Sequence, residues 1–285
     1  MMSRRGPSSR VRALVSPALE LRIADRARHR AVRRRVASRV VVAVAVVAAA
    51  WAGWSWHHRP LMSYSFTGPD RLVTNEHRFW HGHASVEDSP DWSMTSGSLF
   101  VRGGVGWSGR PDAGEPGPDS GAATNSAVFR LNTARRDFGD VEVSFRLRVL
   151  AMTSTVRTPA NEWDGVHVWL RYQSEYELYY ASVARRDGVV TFKKKTPGGS
   201  SNDGTYHPLA EARGGAAPGR WVQVRVSVRN RPDGSVALGM DVDGRSVLTA
   251  VDHGEGGAPI VGAGSVGIRG DNCEFELQDF VVSRP

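Results

Sequence analysis

One stretch of the chain combines aromatic rings and charged donors at strand spacing. Val166, Val168 and Leu170 alternate with His167, Trp169 and Arg171, and Gln173 continues the second set. With Ser174-Glu175 as a two-residue turn, Gln173 pairs with Tyr176, Arg171 with Leu178, Trp169 with Tyr180 and His167 with Ser182. That register puts Val166, Val168, Leu170, Tyr179, Ala181 and Val183 on one face, the core face. The other face gathers Trp169, Tyr180, His167, Arg171 and Gln173. Rings beside forked donors suit a sugar, whose C–H face stacks while its hydroxyls take hydrogen bonds. Ordinary cross-strand aromatic packing on a solvated or partner-covered face would give the same pattern.

Three other clusters could do chemistry. Cys273, Phe275 and Leu277 share one parity on the closing strand, which would carry Asp279 inward with them. A buried carboxylate needs a cation or strong donors. A β-bulge at Gln278-Asp279 would instead turn the carboxylate outward and return Phe280 to the core. His77, His81 and His83 have metal-like spacing, but their only acidic neighbour at ligand distance is Glu76, so they read as loop residues. Cys273 is the only cysteine, which excludes an internal disulfide and reads as an inert buried thiol.

The elements that must hold these groups are strands. Val141, Val143, Phe145, Leu147 and Val149 alternate with polar residues, as do Val222, Val224, Val226 and Val228. Asp187-Gly188, Asp233-Gly234 and Asp243-Gly244 supply hairpin turns. Residues 103–125 and 198–204 are rich in Gly, Pro, Ser and Asp and read as loops. Many short period-2 runs separated by turn residues predict an all-β sandwich.

Upstream, Val40–Trp56 is an uncharged run ending in Trp51, Trp54 and Trp56. At 1.5 Å per residue it is at the short end of what spans a bilayer. Twelve arginines against Glu20 and Asp25 give residues 1–39 a charge of +10 in a chain whose total is +8. The positive-inside rule keeps such a flank in the cytoplasm, where anionic lipid attracts it. The reading is a cytoplasmic tail (1–39), a transmembrane signal-anchor (40–56), a linker (57–62) and an extracellular domain (63–285). A cleaved signal ending near Ala50-Trp51-Ala52 is the alternative. With Arg59 counted, residues 61–285 carry −3, so the sequence pI of about 10.2 belongs to the tail and a nucleic-acid partner is excluded. Only three of the 37 basic residues are lysines, Lys193–Lys195, which with the Ala, Val and Gly content points to a GC-rich, actinobacterial-type genome.

The run Gly219–Val251 resembles a recurring hairpin of the concanavalin A-like, laminin-G-like jelly rolls: a Trp opens a valine-alternating strand, and a D-x-D-G turn precedes a third strand. Gly264–Val282 looks like the closing strands of that superfamily, and Ser63–Phe66 would supply the strand that pairs with them. The resemblance covers about residues 63–283. It implies a two-sheet antiparallel jelly roll whose ligand lies on the concave sheet, to which it assigns the Val166–Ala184 hairpin. It also implies structural Ca²⁺, with Asp279 and oxygens from Ser63–Asp70 as candidate ligands. Laminarinase-type glucanases of this superfamily carry E-x-D-x-x-E. Here Glu162-Trp163-Asp164-Gly165-Val166-His167 has His167 at the last position, so the carboxylate pair is missing. The combined expectation is a membrane-anchored, extracytoplasmic polysaccharide-binding module. Arg146, Arg148, Arg225 and Arg229, projecting from non-core faces, would permit an acidic glycan. The rivals are a polysaccharide-active hydrolase or lyase, and a structural or sensory domain whose sheet meets another protein.

Overall fold

The computed structural model describes residues 25–26, 45–46, 59–77, 89–112, 126–201 and 203–285. The chain divides into two compact units, Met1–His58 and Arg59–Pro285. In the first unit the described pairs 25–26 and 45–46 are helical. The tail and the anchor run Val40–Trp56 otherwise lie outside the described residues, as do His81 and His83. Among the described residues no helix is long and apolar enough to cross a membrane.

The second unit is built of strands. In chain order they are β1 (Met62–Tyr64), β2 (Arg71–Asn75), β3 (Trp92–Ser96), β4 (Ser98–Arg102), β5 (Val105–Trp107), β6 (Val128–Thr133), β7 (Val141–Met152) and β8 (Gly165–Ser174). They continue as β9 (Glu177–Arg185), β10 (Val189–Pro197), β11 (Gly204–Arg213), β12 (Val222–Asn230), β13 (Val236–Val242), β14 (Arg245–Asp252), β15 (Ser265–Asp271) and β16 (Cys273–Ser283). They form two antiparallel sheets. One runs β14-β13-β12-β7-β16-β5-β4-β2 with β1 added on β16, and the other runs β11-β10-β9-β8-β15-β6-β3. The two-sheet antiparallel sandwich predicted from the alternating runs is therefore present.

The alternation works as the sequence implies. On β7, Val141, Val143, Phe145 and Leu147 are fully buried, while Arg146 between them is exposed. They join Val222, Val224, Val226 and Val228 of β12 in the core, with Phe275, Leu277, Phe280 and Val282 of β16. The other sheet contributes Val166, Val168, Leu170, Tyr179, Ala181 and Val183, the core face proposed for the hairpin. Each such aliphatic or aromatic side chain stabilises the fold by roughly 1.5–3 kcal/mol when taken from water. This core lies wholly within Arg59–Pro285, so that unit has the means to fold alone. At the β13–β14 turn, Asp243 and Gly244 both adopt positive φ (51° and 75°), the pairing a two-residue hairpin requires.

Three expectations change. The stretch 103–125 is not one loop: Gly103-Gly104 make a turn and β5 follows, while residues 113–125 lie outside the described set. The β8–β9 turn is Glu175-Tyr176, because Ser174 pairs with Glu177 and the register slips between Leu170 and Ser174. Asp279 is exposed at φ 51°, on a bulge between Gln278 and Val281 that turns its carboxylate outward and returns Phe280 to the core. It is therefore no inward calcium ligand. No group of three or more His, Cys, Asp or Glu positioned for a metal occurs among the described residues. Cys273 is buried, which pushes its thiol up.

Candidate functional site

The face of the seven-stranded sheet turned away from the core is organised in rows across the ladders. One row runs Lys193, Tyr180, Trp169, Gly267, Asn132 and Ser93, and the next Thr191, Ser182, His167, Arg269, Arg130 and Ser96. The pairs Trp169–Tyr180 and His167–Ser182 form as predicted.

The five residues proposed from sequence do not form one exposed platform. Trp169 is 2 % exposed, stacked against Tyr172 with ring centroids 5.0 Å apart. It packs with Leu178, Tyr180 and Tyr206 in a small apolar cluster outside the main core. His167 is fully buried, its ring stacked on Tyr180 at 4.6 Å. Arg171 has left the face altogether. At φ 48° it occupies the bulge after Leu170, which inverts the alternation and sends its side chain to the core side. There it donates to Asp140 (2.7 Å), Asn230 Oδ1 (2.6 Å) and the carbonyl of Ile260 (2.6 Å), tying together β8, the start of β7 and the end of β12. The same inversion carries Tyr172 outward onto Trp169. Gln173 donates to the carbonyl of Ala263 at 2.6 Å and lines a different cavity from Tyr180.

What lies open is an adjoining cavity of about 410 Å³ that sequence reasoning did not assemble. Trp163, 54 % exposed in the turn before β8, and Tyr206 of β11 are its accessible rings. Ser200 and Ser201 of the β10–β11 loop also line it. Arg185, Lys193 and Arg269 reach its walls, and Tyr180, Ser182 and Lys195 form the buried floor. No carboxylate is among these lining residues. Gly204 leaves room for the Lys195 side chain, since a Cβ there would meet its Cε at 2.6 Å.

A second cavity of about 580 Å³ lies on the same sheet, lined among others by Arg130, Arg136, Tyr172, Gln173 and Tyr176. The hairpin tip is braced on both sides. Lys195 Nζ donates to the Glu175 carbonyl at 2.5 Å, and Arg130 pairs with the Glu175 carboxylate at 3.3 Å.

Beneath the open cavity is a polar layer. Asp271 accepts from Arg269 Nε and Nη2 at 2.7 and 2.9 Å and lies 3.4 Å from His167 Nε2. Burial alone would raise Asp271, but Arg269 and then His167 hold its carboxyl well below the usual range. Burial drives His167 towards its neutral form against the pull of Asp271. Ser182 Oγ lies 3.0 Å from His167 Nδ1, so a serine, a histidine and an aspartate stand in line. Ser182 sits in mid-ladder between β8 and β10, where neighbouring backbone N–H groups serve the sheet. An acyl-transfer site needs such groups free to hold an oxyanion. The line is better suited to fixing Arg269 and Tyr180 than to nucleophilic attack.

Asp164 is likewise structural. It accepts from Asn161 N (2.8 Å) and Asn272 Nδ2 (3.0 Å) under the turn that enters β8, and Glu162 is exposed beside it. Arg146, Arg148, Arg225 and Arg229 all lie on the nine-stranded sheet, away from both cavities, where Arg146 and Arg148 pack over Trp221.

No family model matches the sequence, and no curated protein matches it at a significant level. Among solved structures the chain is similar to the carbohydrate-binding module CBM66 from Bacillus subtilis, at 12 % identity and TM-score 0.45 over 68 % of this chain and 95 % of that one. It is similar to a protein of unknown function with a galectin-like fold, also from Bacillus subtilis (11 %, TM-score 0.43, 78 % and 98 %). It is also similar to the catalytic domain of an endo-1,3-β-glucanase (laminarinase) from Thermotoga petrophila RKU-1 (9 %, TM-score 0.44, 79 % and 97 %).

Proposed function

We propose that residues 59–285 form a carbohydrate-binding domain, carried outside the cell on the Val40–Trp56 anchor with the arginine-rich tail against the inner leaflet. The anchor and its orientation rest on the uncharged run and on the charge of its flank. The binding reading rests on one observation: an open cavity of about 410 Å³ in which the rings of Trp163 and Tyr206 stand beside hydroxyl, ammonium and guanidinium donors. A sugar ring uses both kinds of surface at once, stacking its C–H face while its hydroxyls bond the rim.

The test is a glycan panel titrated against the fragment Arg59–Pro285, which contains the whole described core. Binding to one glycan class, lost in Trp163→Ala with an unchanged melting temperature, is the expected result. A folded fragment that retains nothing from the panel overturns the reading and favours the protein-interaction rival. Release of reducing ends or unsaturated uronates would move it to the enzyme class.

A further inference from the structure

We propose that the sugar recognised in this cavity is anionic, carrying a carboxylate or ester sulfate, and that Lys193 and Lys195 read its charge. The inference rests on the carbohydrate-binding reading above and names the class of glycan.

The argument begins with charge. Four cations, Arg185, Lys193, Lys195 and Arg269, line the cavity and no acid among the described residues does, although residues 61–285 as a whole are net negative. Two of the four are already satisfied: Arg269 by both oxygens of Asp271, and Arg185 by Asp187 at 2.5 Å. The lysines are not. Lys193 has no carboxylate within ion-pair distance among the described residues, and its Nζ lies 5.8 Å from the centre of the Tyr206 ring. Among the described residues Lys195 hydrogen-bonds only the Glu175 carbonyl, with its Nζ 5.1 Å from the same ring. Two ammonium groups with no ion-pair partner of their own, set beside two paired guanidiniums in a partly desolvated cleft, favour an incoming anion.

Residue choice points the same way. The chain has 34 arginines and three lysines, all on β10. Alternation places Lys193 and Lys195 in the cavity, while Lys194 points to the core side and pairs with Asp252. Burial, then the nearby Arg269, pushes Lys195 down to about 8, and burial with Arg185 lowers Lys193.

The test uses the Arg59–Pro285 fragment, free of the basic tail, and two forms of one polymer: a polyuronate, and the same polymer with its carboxyls reduced to neutral sugar. A sulfated galactan and its desulfated form make a second pair. The acidic member should bind at least tenfold tighter and weaken steeply with salt. Lys193→Met/Lys195→Met should erase the difference without lowering the melting temperature more than a few degrees. Raising the pH from 7 to 9 should weaken the acidic member and leave the neutral one unchanged. Equal or tighter binding of the neutral members overturns the anionic inference and leaves the carbohydrate reading standing. Binding of neither member by a folded fragment overturns both. Inorganic sulfate competing as tightly as the sulfated polymer would reduce the cavity to a simple anion site and overturn both. Should the double variant fail to fold, Lys193→Gln alone, at a half-buried position, must reduce the acid-to-neutral ratio.

Discussion

Lys194 Nζ lies 2.9 Å from the carboxylate of Asp252, with both side chains fully buried and the two residues on opposite sheets. Tyr179 donates to the same carboxylate at 2.6 Å and accepts from the backbone of Ile260, so the pair is embedded in a hydrogen-bonded knot. The middle lysine of Lys193–Lys195 thus joins the two sheets, while the lysines on either side of it line the open cavity.

Removing one member of this pair leaves an uncompensated buried charge. Lys194→Met should cost about 3–5 kcal/mol in denaturant unfolding, and Lys194→Met/Asp252→Leu should recover much of that loss. A loss below about 1 kcal/mol in the single variant would show that water reaches Asp252.

The two tryptophans of the hairpin region should separate cleanly. Trp169→Ala empties a buried cluster and should cost about 3–5 kcal/mol. Trp163→Ala, at an exposed position, should change stability by less than about 0.5 kcal/mol while weakening glycan binding. Calorimetric melting and titration on the same samples distinguish the two effects.

His167 should make stability depend on pH. Burial, the largest influence on it, lowers its folded pKa below the unfolded value. Its contribution is therefore complete above about pH 6.5, and it declines below that as the unfolded chain takes a proton the folded one refuses. Unfolding midpoints between pH 7 and 5 should fall less in His167→Gln than in the native chain. Identical profiles would place His167 in a more open environment than its burial shows.

Asp279 sits on a left-handed bulge and points into solvent. Asp279→Gly should be nearly neutral, and Asp279→Val should cost about 1–2 kcal/mol, because a β-branched residue resists positive φ. Calcium or a chelator should shift the melting temperature of Asp279→Ala by the same amount as that of the native fragment.

The strands and their faces were legible because burial on one side imposes a period of two. So were the turns at Asp187-Gly188, Asp233-Gly234 and Asp243-Gly244. Alternation failed at Arg171 and Asp279, each at positive φ on a bulge, where one extra residue swaps the faces. No local sequence signal marks that choice: Arg171 is inverted by partners at Asp140, Asn230 and Ile260, which are distant in the chain. The cavity was illegible for a related reason, since Trp163, Lys193, Tyr206 and Arg269 come from four separate segments. One signal was available. Three consecutive lysines in an arginine-rich chain, on an alternating strand, place two ammonium groups on one face.

The pairing of β1 with β16 has a mechanical consequence. β1 is three residues long and its only ladder partner among the described strands is β16, through Met62–Val282, Ser63–Val281 and Tyr64–Phe280. A pull delivered through residue 59 therefore meets the bonds of Leu61 to Val282 and Arg135 and then these few, opening them one after another from the end. The remaining ladders, and the whole seven-stranded sheet, keep their bonds while β1 peels, because none of them depends on it. The chain can thus lengthen by the span of β1 while both sheets stay folded.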